Sequence, residues 1–191
     1  MGGLEARNSV QSQVDPFVWY KEEMVLLFYI DDCQLLNPYK DKINEVYASL
    51  QTDFKIEYDG EINKYSGIDL DLRPYGFIHM SQSYLTQQII NMIPGMNKTS
   101  DNPTPVVKPP LAKHKGSQSR KNDFNYKSVI GLLDFLTNST RPEEQFTVNQ
   151  CTRFSADTKL QNDQTVKRIL KYLKGTSEQG LIINFNPEKG I

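Results

Sequence analysis

The sequence predicts an α+β fold: antiparallel hairpins with packing helices, followed by a helical C-terminal third. Three observations carry this. Short apolar runs broken by turn residues fill the first 80 positions, apolar spacing of helical period recurs at 41–54 and 84–92 and again after 125, and prolines crowd the stretch between. A chain of 191 residues with 38% hydrophobic and 10% aromatic residues can build the core such elements need, in one domain or two small ones.

The elements follow in order. Phe17 to Tyr20 and Met24 to Phe28 are apolar runs on either side of Lys21-Glu22-Glu23, which reads as a β-turn. Met24 to Phe28 then meets Cys33 to Leu36 across Tyr29-Ile30-Asp31-Asp32, a second hairpin. From Asp41 onward Ile43, Val46, Tyr47, Leu50 and Phe54 mark an amphipathic helix for one sheet face. Lys55 to Leu72 and Gly76 to Met80 read as a strand pair around Arg73-Pro74-Tyr75-Gly76, with proline and glycine where a turn takes them. Ser81 offers an N-cap for a helix through Tyr84, Leu85, Ile89 and Met92, which Pro94-Gly95 ends. Residues 94–125 read as a Pro-rich basic linker, where Lys108, Lys113, Lys115, Arg120, Lys121 and Lys127 at its far end face one acid, Asp123.

Three helices complete the chain. The first spans about 125–138. The second starts at Thr140-Arg141-Pro142-Glu143, read as a capping box, and carries Phe146, Cys151 and Phe154. The third sets Val166, Ile169, Leu170 and Leu173 on one face and Lys167, Arg168, Lys171 and Lys174 on the other, stopping at Gly175. Such a basic helix can lie along a phosphate backbone or simply be a solvated face. The domain reading is 1–93, a linker at 94–125, and 126–191.

Composition excludes several functions. The net charge of -1 gives no global pull toward nucleic acid, so polyanion binding must come from local basic faces. Cys33 and Cys151 are far apart with no second ligand at metal spacing, which argues against zinc and a disulfide framework and for a reducing, intracellular setting. His79, within a strand, and His114, in the basic loop, read as structural. No apolar stretch approaches the roughly 20 residues of a membrane span, and no signal-peptide core leads the chain.

Asp31 and Asp32 stand out chemically. Adjacent carboxylates repel in low dielectric, so both stay ionised only beside a cation or water, and hard oxygen ligands on a tight turn suit magnesium. The plain alternative is a solvated turn in which Asp ends a strand. Asp69 and Asp71 alternate with Ile68, Leu70 and Leu72, so they face water and are not metal ligands.

Four blocks together resemble the reverse transcriptase of copia-type LTR retrotransposons, in order, over nearly the whole chain. They are Gln13-Val14-Asp15-Pro16 leading to Phe28-Tyr29-Ile30-Asp31-Asp32; Ser66-Gly67-Ile68 with Gly76-Phe77-Ile78 and Ser81-Gln82-Ser83-Tyr84; Tyr126 to Leu133 with Thr140-Arg141-Pro142 and Arg153-Phe154; and Lys167 to Thr176 with Gly180-Leu181. The resemblance implies the C-terminal half of a polymerase palm over 1–93, a helical thumb or connection region over 126–191, and the approach to an RNase H domain that follows in such polyproteins.

It further implies an RNA-directed DNA polymerase, a nucleotidyltransferase using magnesium, a template-primer and deoxynucleoside triphosphates in a cytoplasmic retroelement particle. Asp31 and Asp32 would be catalytic metal ligands. Tyr29, Ile30 and Gly67 would contact the primer end, and Lys167, Arg168, Lys171 and Lys174 the duplex backbone. The chain departs from the family at Glu143-Glu144, where Asp and an aliphatic residue are usual, and at Asn162-Asp163, where a His-Trp pair is common.

Such a polymerase needs a third carboxylate from an earlier palm strand, which with the fingers would precede Met1. The expectation is therefore an incomplete polymerase, inactive alone. Its rival is a non-catalytic nucleic-acid-binding remnant or interaction module. A metal hydrolase built on Asp31 and Asp32 lacks a nearby histidine or further acid.

Overall fold

The computed structural model describes residues 2–5, 7–30, 32–74, 77–106, 111, 118–120 and 123–184. The fold is α+β, with two antiparallel four-stranded sheets. It divides into two compact units, Met1–Ile62 and Asn63–Ile191.

In the first unit a short helical turn, α1 (Gly2–Glu5), precedes the strands β1 (Val10–Gln11), β2 (Val18–Lys21), β3 (Met24–Tyr29) and β4 (Asp32–Leu36), which pair in sequence order. Alternation sorts their side chains. Trp19, Leu26 and Leu35 are opposed across three strands and point toward α2 (Lys40–Gln51), where Val46 and Leu50 close a small core with Met24. Arg7 fastens the C-terminal end of α2, donating to the Ser49 carbonyl at 2.6 Å and to Asp53 Oδ2 at 2.7 Å. A cation there complements the helix dipole. Phe54 lies beyond the helix end and is exposed.

The second unit opens on β5 (Lys64–Tyr65), β6 (Ile68–Arg73) and β7 (Phe77–Ser81), with β8 (Leu181–Asn184) returning to the far edge of β7. The first strand of this hairpin is shorter than the sequence predicts. Residues 55–63 stay irregular because Glu57, Asp59, Gly60 and Glu61 are poor strand formers, and Gly60 takes φ 95°. Tyr75 and Gly76, in the predicted turn after Pro74, lie outside the described residues, as do the basic-segment residues Lys108, Lys113, His114, Lys115 and Lys121.

Four helices form the main core: α3 (Ser83–Asn91), α4 (Tyr126–Ser139), α5 (Gln145–Thr152) and α6 (Leu160–Gly175). Ile89, Ile90, Val129, Leu133, Leu136, Val148, Val166, Ile169, Leu170 and Leu173 are buried together. Two predicted caps differ. Ser81 remains in β7, and Gln82 is the residue before α3, its side chain buried where Thr140 Oγ1 donates to its Oε1 at 3.0 Å. Thr140 is thereby taken from the predicted capping box. Pro142–Glu144 instead forms one 3-10 turn ahead of α5. The Asn125 cap of α4 accepts from the Ser128 amide at 3.2 Å.

Candidate functional site

The hairpin that carries the acidic pair is a two-residue loop. Tyr29 and Asp32 are opposed across β3 and β4, leaving Ile30 and Asp31 as the only residues between the strands. Two-residue hairpin loops match strand twist through positive φ, for which Asn and Gly are the natural occupants. Ile30 takes φ 54° and is 82% exposed, a strained placement for a β-branched side chain. Asp31 itself lies outside the described residues.

Opposed residues share a face, so Tyr29 and Asp32 project from the same side of the sheet as Tyr20, Val25, Leu27 and Leu36. Phe28 projects from the other side and packs against the core with Trp19 and Leu26. Asp32 is exposed and Tyr29 half exposed. The preceding Asp15-Pro16 block is a local turn: Asp15 Oδ1 accepts from the Phe17 amide at 2.9 Å and aims the chain into β2.

An exposed carboxylate with hard oxygen donors fits magnesium chemically, because the ion keeps several waters and takes few protein ligands. Among the described residues no group of three His, Cys, Asp or Glu side chains converges on one point. Asp69 and Asp71 each sit beside a cation, Lys64 at 3.8 Å and Arg73 at 2.8 Å.

Gly67 stands in another two-residue loop, between Tyr65 and Ile68, where Ser66 takes φ 48° and Gly67 φ 76°. A Cβ at Gly67 would meet nothing within 4 Å, so backbone conformation and not space is what glycine supplies there.

The four basic residues of α6 are largely engaged with their own chain. Lys167 Nζ donates to Asp123 Oδ2 at 2.7 Å, and Arg168 Nε to the Val106 carbonyl at 3.1 Å. Lys174 Nζ contacts the Thr99 carbonyl and stands 3.0 Å from Asp101 Oδ1. Lys171 makes no such side-chain contact among the described residues, while its carbonyl accepts from the Asn102 amide at 3.4 Å. Bonding to Lys167 holds the Asp123 carboxyl below its ordinary range.

Sequence reasoning missed two buried ionic groups. Arg141, 1% exposed, donates from Nη1 to the Thr176 carbonyl at 2.9 Å and from Nη2 to Thr176 Oγ1 at 2.7 Å, fastening the end of α6. Its Nη2 also stands 3.3 Å from Oε1 of the fully buried Glu144. Burial nevertheless pushes that carboxyl up to about 8, against the pull of Arg141. The signal was present: Glu144 occupies the position where the family resemblance leads one to expect an aliphatic residue.

The second group centres on Asp163, also buried, where Arg120 Nε donates to Oδ2 at 3.3 Å and burial raises the carboxyl above its ordinary range. Asn162 Oδ1 accepts from the Lys159 amide at 2.8 Å and caps α6. Asn162-Asp163 therefore starts this helix with hydrogen bonds and an ion pair.

Comparison with known proteins places the chain among retroelement sequences. The uncharacterized mitochondrial protein AtMg00810 of Arabidopsis thaliana is 30% identical over 171 residues, 88% of this chain and 68% of that protein. The retrovirus-related Pol polyprotein from transposon RE1 of the same plant is 25% identical over 165 residues, 85% of this chain but 11% of the polyprotein. The corresponding polyprotein from transposon TNT 1-94 of Nicotiana tabacum is 22% identical over 189 residues, 91% of this chain and 14% of its own length. No family model matches the chain, and no solved structure matches it significantly.

Proposed function

Since the chain belongs to the Pol polyproteins of copia-type retrotransposons, we propose that it is a part of an RNA-directed DNA polymerase. In this reading residues 1–93 are the C-terminal half of the palm, and residues 126–191 the thumb or connection region. The observation that carries it is the two-residue hairpin holding Tyr29-Ile30-Asp31-Asp32 at the end of a sheet whose base is packed by Trp19, Leu26 and Val46. A rigid base with an exposed, strained tip is how a fold presents chemistry to a substrate.

Asp31 and Asp32 are the residues that would hold magnesium. When bound, the ion neutralises triphosphate oxygens and activates a primer hydroxyl. Tyr29 and Ile30 shape the surface beside the primer end. The 165 matched residues make up 11% of the RE1 polyprotein, and in this reading the third carboxylate comes from another part of the polymerase. Primer extension on poly(rA) primed with oligo(dT) tests this: the isolated chain incorporates nothing. Incorporation abolished by Asp31→Asn would overturn the incompleteness and leave the polymerase reading standing.

A second reading, a nucleic-acid-binding module without catalysis, is supported by the four cations along α6. It predicts a steep salt dependence of binding to a DNA duplex that flattens when Lys167, Arg168, Lys171 and Lys174 are neutralised.

A further inference from the structure

The basic face of α6 has an occupant. From the C-terminal end of the helix toward its start, the chain lays Thr99 and Asp101 against Lys174, the Asn102 amide on the Lys171 carbonyl, and the Val106 carbonyl on Arg168. At the N-terminal end the Leu160 amide donates to the Gln118 carbonyl at 3.0 Å, and Ser119 pairs with Lys159 as an isolated β-bridge. Asp123 then returns to Lys167. Gly175 leaves room for this path, since a Cβ there would lie 3.1 Å from the Asp101 side chain.

We infer that the described parts of segment 99–124 are an internal competitor for polyanions: α6 takes up a phosphate backbone only when Asp101 and Asp123 release Lys174 and Lys167. The inference rests on the reading of α6 as a phosphate-contacting helix. The chemistry is one of shared donors. The Lys167 and Lys174 ammonium groups and the Arg168 Nε that a phosphate would use are turned to carboxylates and carbonyls of the same chain, and two of those acceptors carry the charge a phosphate carries.

The contact is built to release locally. Partly exposed ion pairs of this kind each contribute less than a factor of about five to an equilibrium, whereas every phosphate contact gains from counterion release. Anchors at both ends stay in place. Met96 and Phe124 are buried in the main core, and Arg120 is held by Asp163, by the Phe124 carbonyl at 2.8 Å, and over the Phe124 and Tyr126 rings. Freeing the acidic contacts between them uncovers cations without unfolding the unit.

The test uses the whole chain and a fluorescein-labelled 20-base-pair DNA duplex, read by anisotropy across a salt series. Asp101→Asn/Asp123→Asn binds about fivefold tighter than wild type at low salt, with a log–log salt slope steeper by about two. Asp41→Asn/Asp134→Asn, which makes the same change in net charge elsewhere, leaves both unchanged. In the wild type, saturating duplex accelerates hydrogen exchange of the Asn102 amide, while the Val129 amide in α4 is unaffected. Binding by wild type with no gain in the first variant, an equal gain in the control, or an Asn102 amide indifferent to duplex overturns the competition and leaves α6 as a binding helix. Absence of binding by every protein overturns the α6 reading and the competition with it.

Discussion

The two units place their motif residues in opposite environments. In the first, Tyr29, Ile30 and Asp32 lie at an exposed tip, with Ile30 held at a positive φ that its side chain disfavours. In the second, several motif residues turn inward: Gln82 meets Thr140, Ser83 Oγ donates to the Ser177 carbonyl at 3.1 Å, and Arg141 grips Thr176. Three sequence blocks far apart in the chain thus converge on one node that ties α3, α4 and α6. A motif at a strained surface is available for chemistry, whereas a motif spent on buried hydrogen bonds holds architecture, though both look alike in sequence.

The comparison breaks most visibly at Arg141. Arg141→Ala leaves the Thr176 carbonyl and hydroxyl without their buried donor, which costs about 3 kcal/mol. Amide exchange across α6 should accelerate accordingly, while the fluorescence of Trp19, the sole tryptophan, reports an unchanged first unit. Gly180 comes next. A Cβ there would fall 2.0 Å from the Met80 carbonyl, so Gly180→Ala must push β8 from β7. We expect a loss of about 1–3 kcal/mol, seen as faster exchange along Leu181–Asn184 with the helical core amides retained.

Glu144 gives the pH dependence. Its carboxyl is raised in the folded chain, from an ordinary 4.5 to about 8, so the native state holds the proton longer than the unfolded one. Its contribution is present in full below pH 4.5 and is lost as pH rises through about 8, with a slope of up to about 1.4 kcal/mol per pH unit. Glu144→Gln should flatten that decline in urea titrations read by exchange in α4 and α5. An unchanged slope would place the titration elsewhere. The smallest effect is at the tip. Ile30→Asn suits the positive φ and should stabilise the first unit by about 1 kcal/mol, measured as a higher urea midpoint of Trp19 fluorescence.

Much of the fold was legible in sequence because local signals agreed with it. The apolar runs of β3 and β4, the period of α2 and the start of α4 near Asn125 all sit where pattern and propensity place them. The misses occurred where a distant partner won. Thr140 abandoned a local capping box for Gln82, 58 residues away, and Ser81 stayed in a ladder with Asp69. The basic face of α6 was visible as a stripe, but periodicity carries no information about which acceptors stand opposite. Asp123 was the one hint, an acid alone among lysines. Charge patterning alone treats a glutamate beside another as surface, so the burial of Glu144 was hinted at only by its departure from the aliphatic residue usual at that position.

The proposal that the Asp31-Asp32 hairpin holds a divalent metal is tested most directly by manganese titration of the whole chain followed by amide NMR. Paramagnetic broadening should appear first at Tyr29, Ile30, Asp32 and Cys33 and vanish in Asp31→Asn/Asp32→Asn. Broadening that begins at Asp69 and Asp71, or that persists at the hairpin after both substitutions, would contradict it.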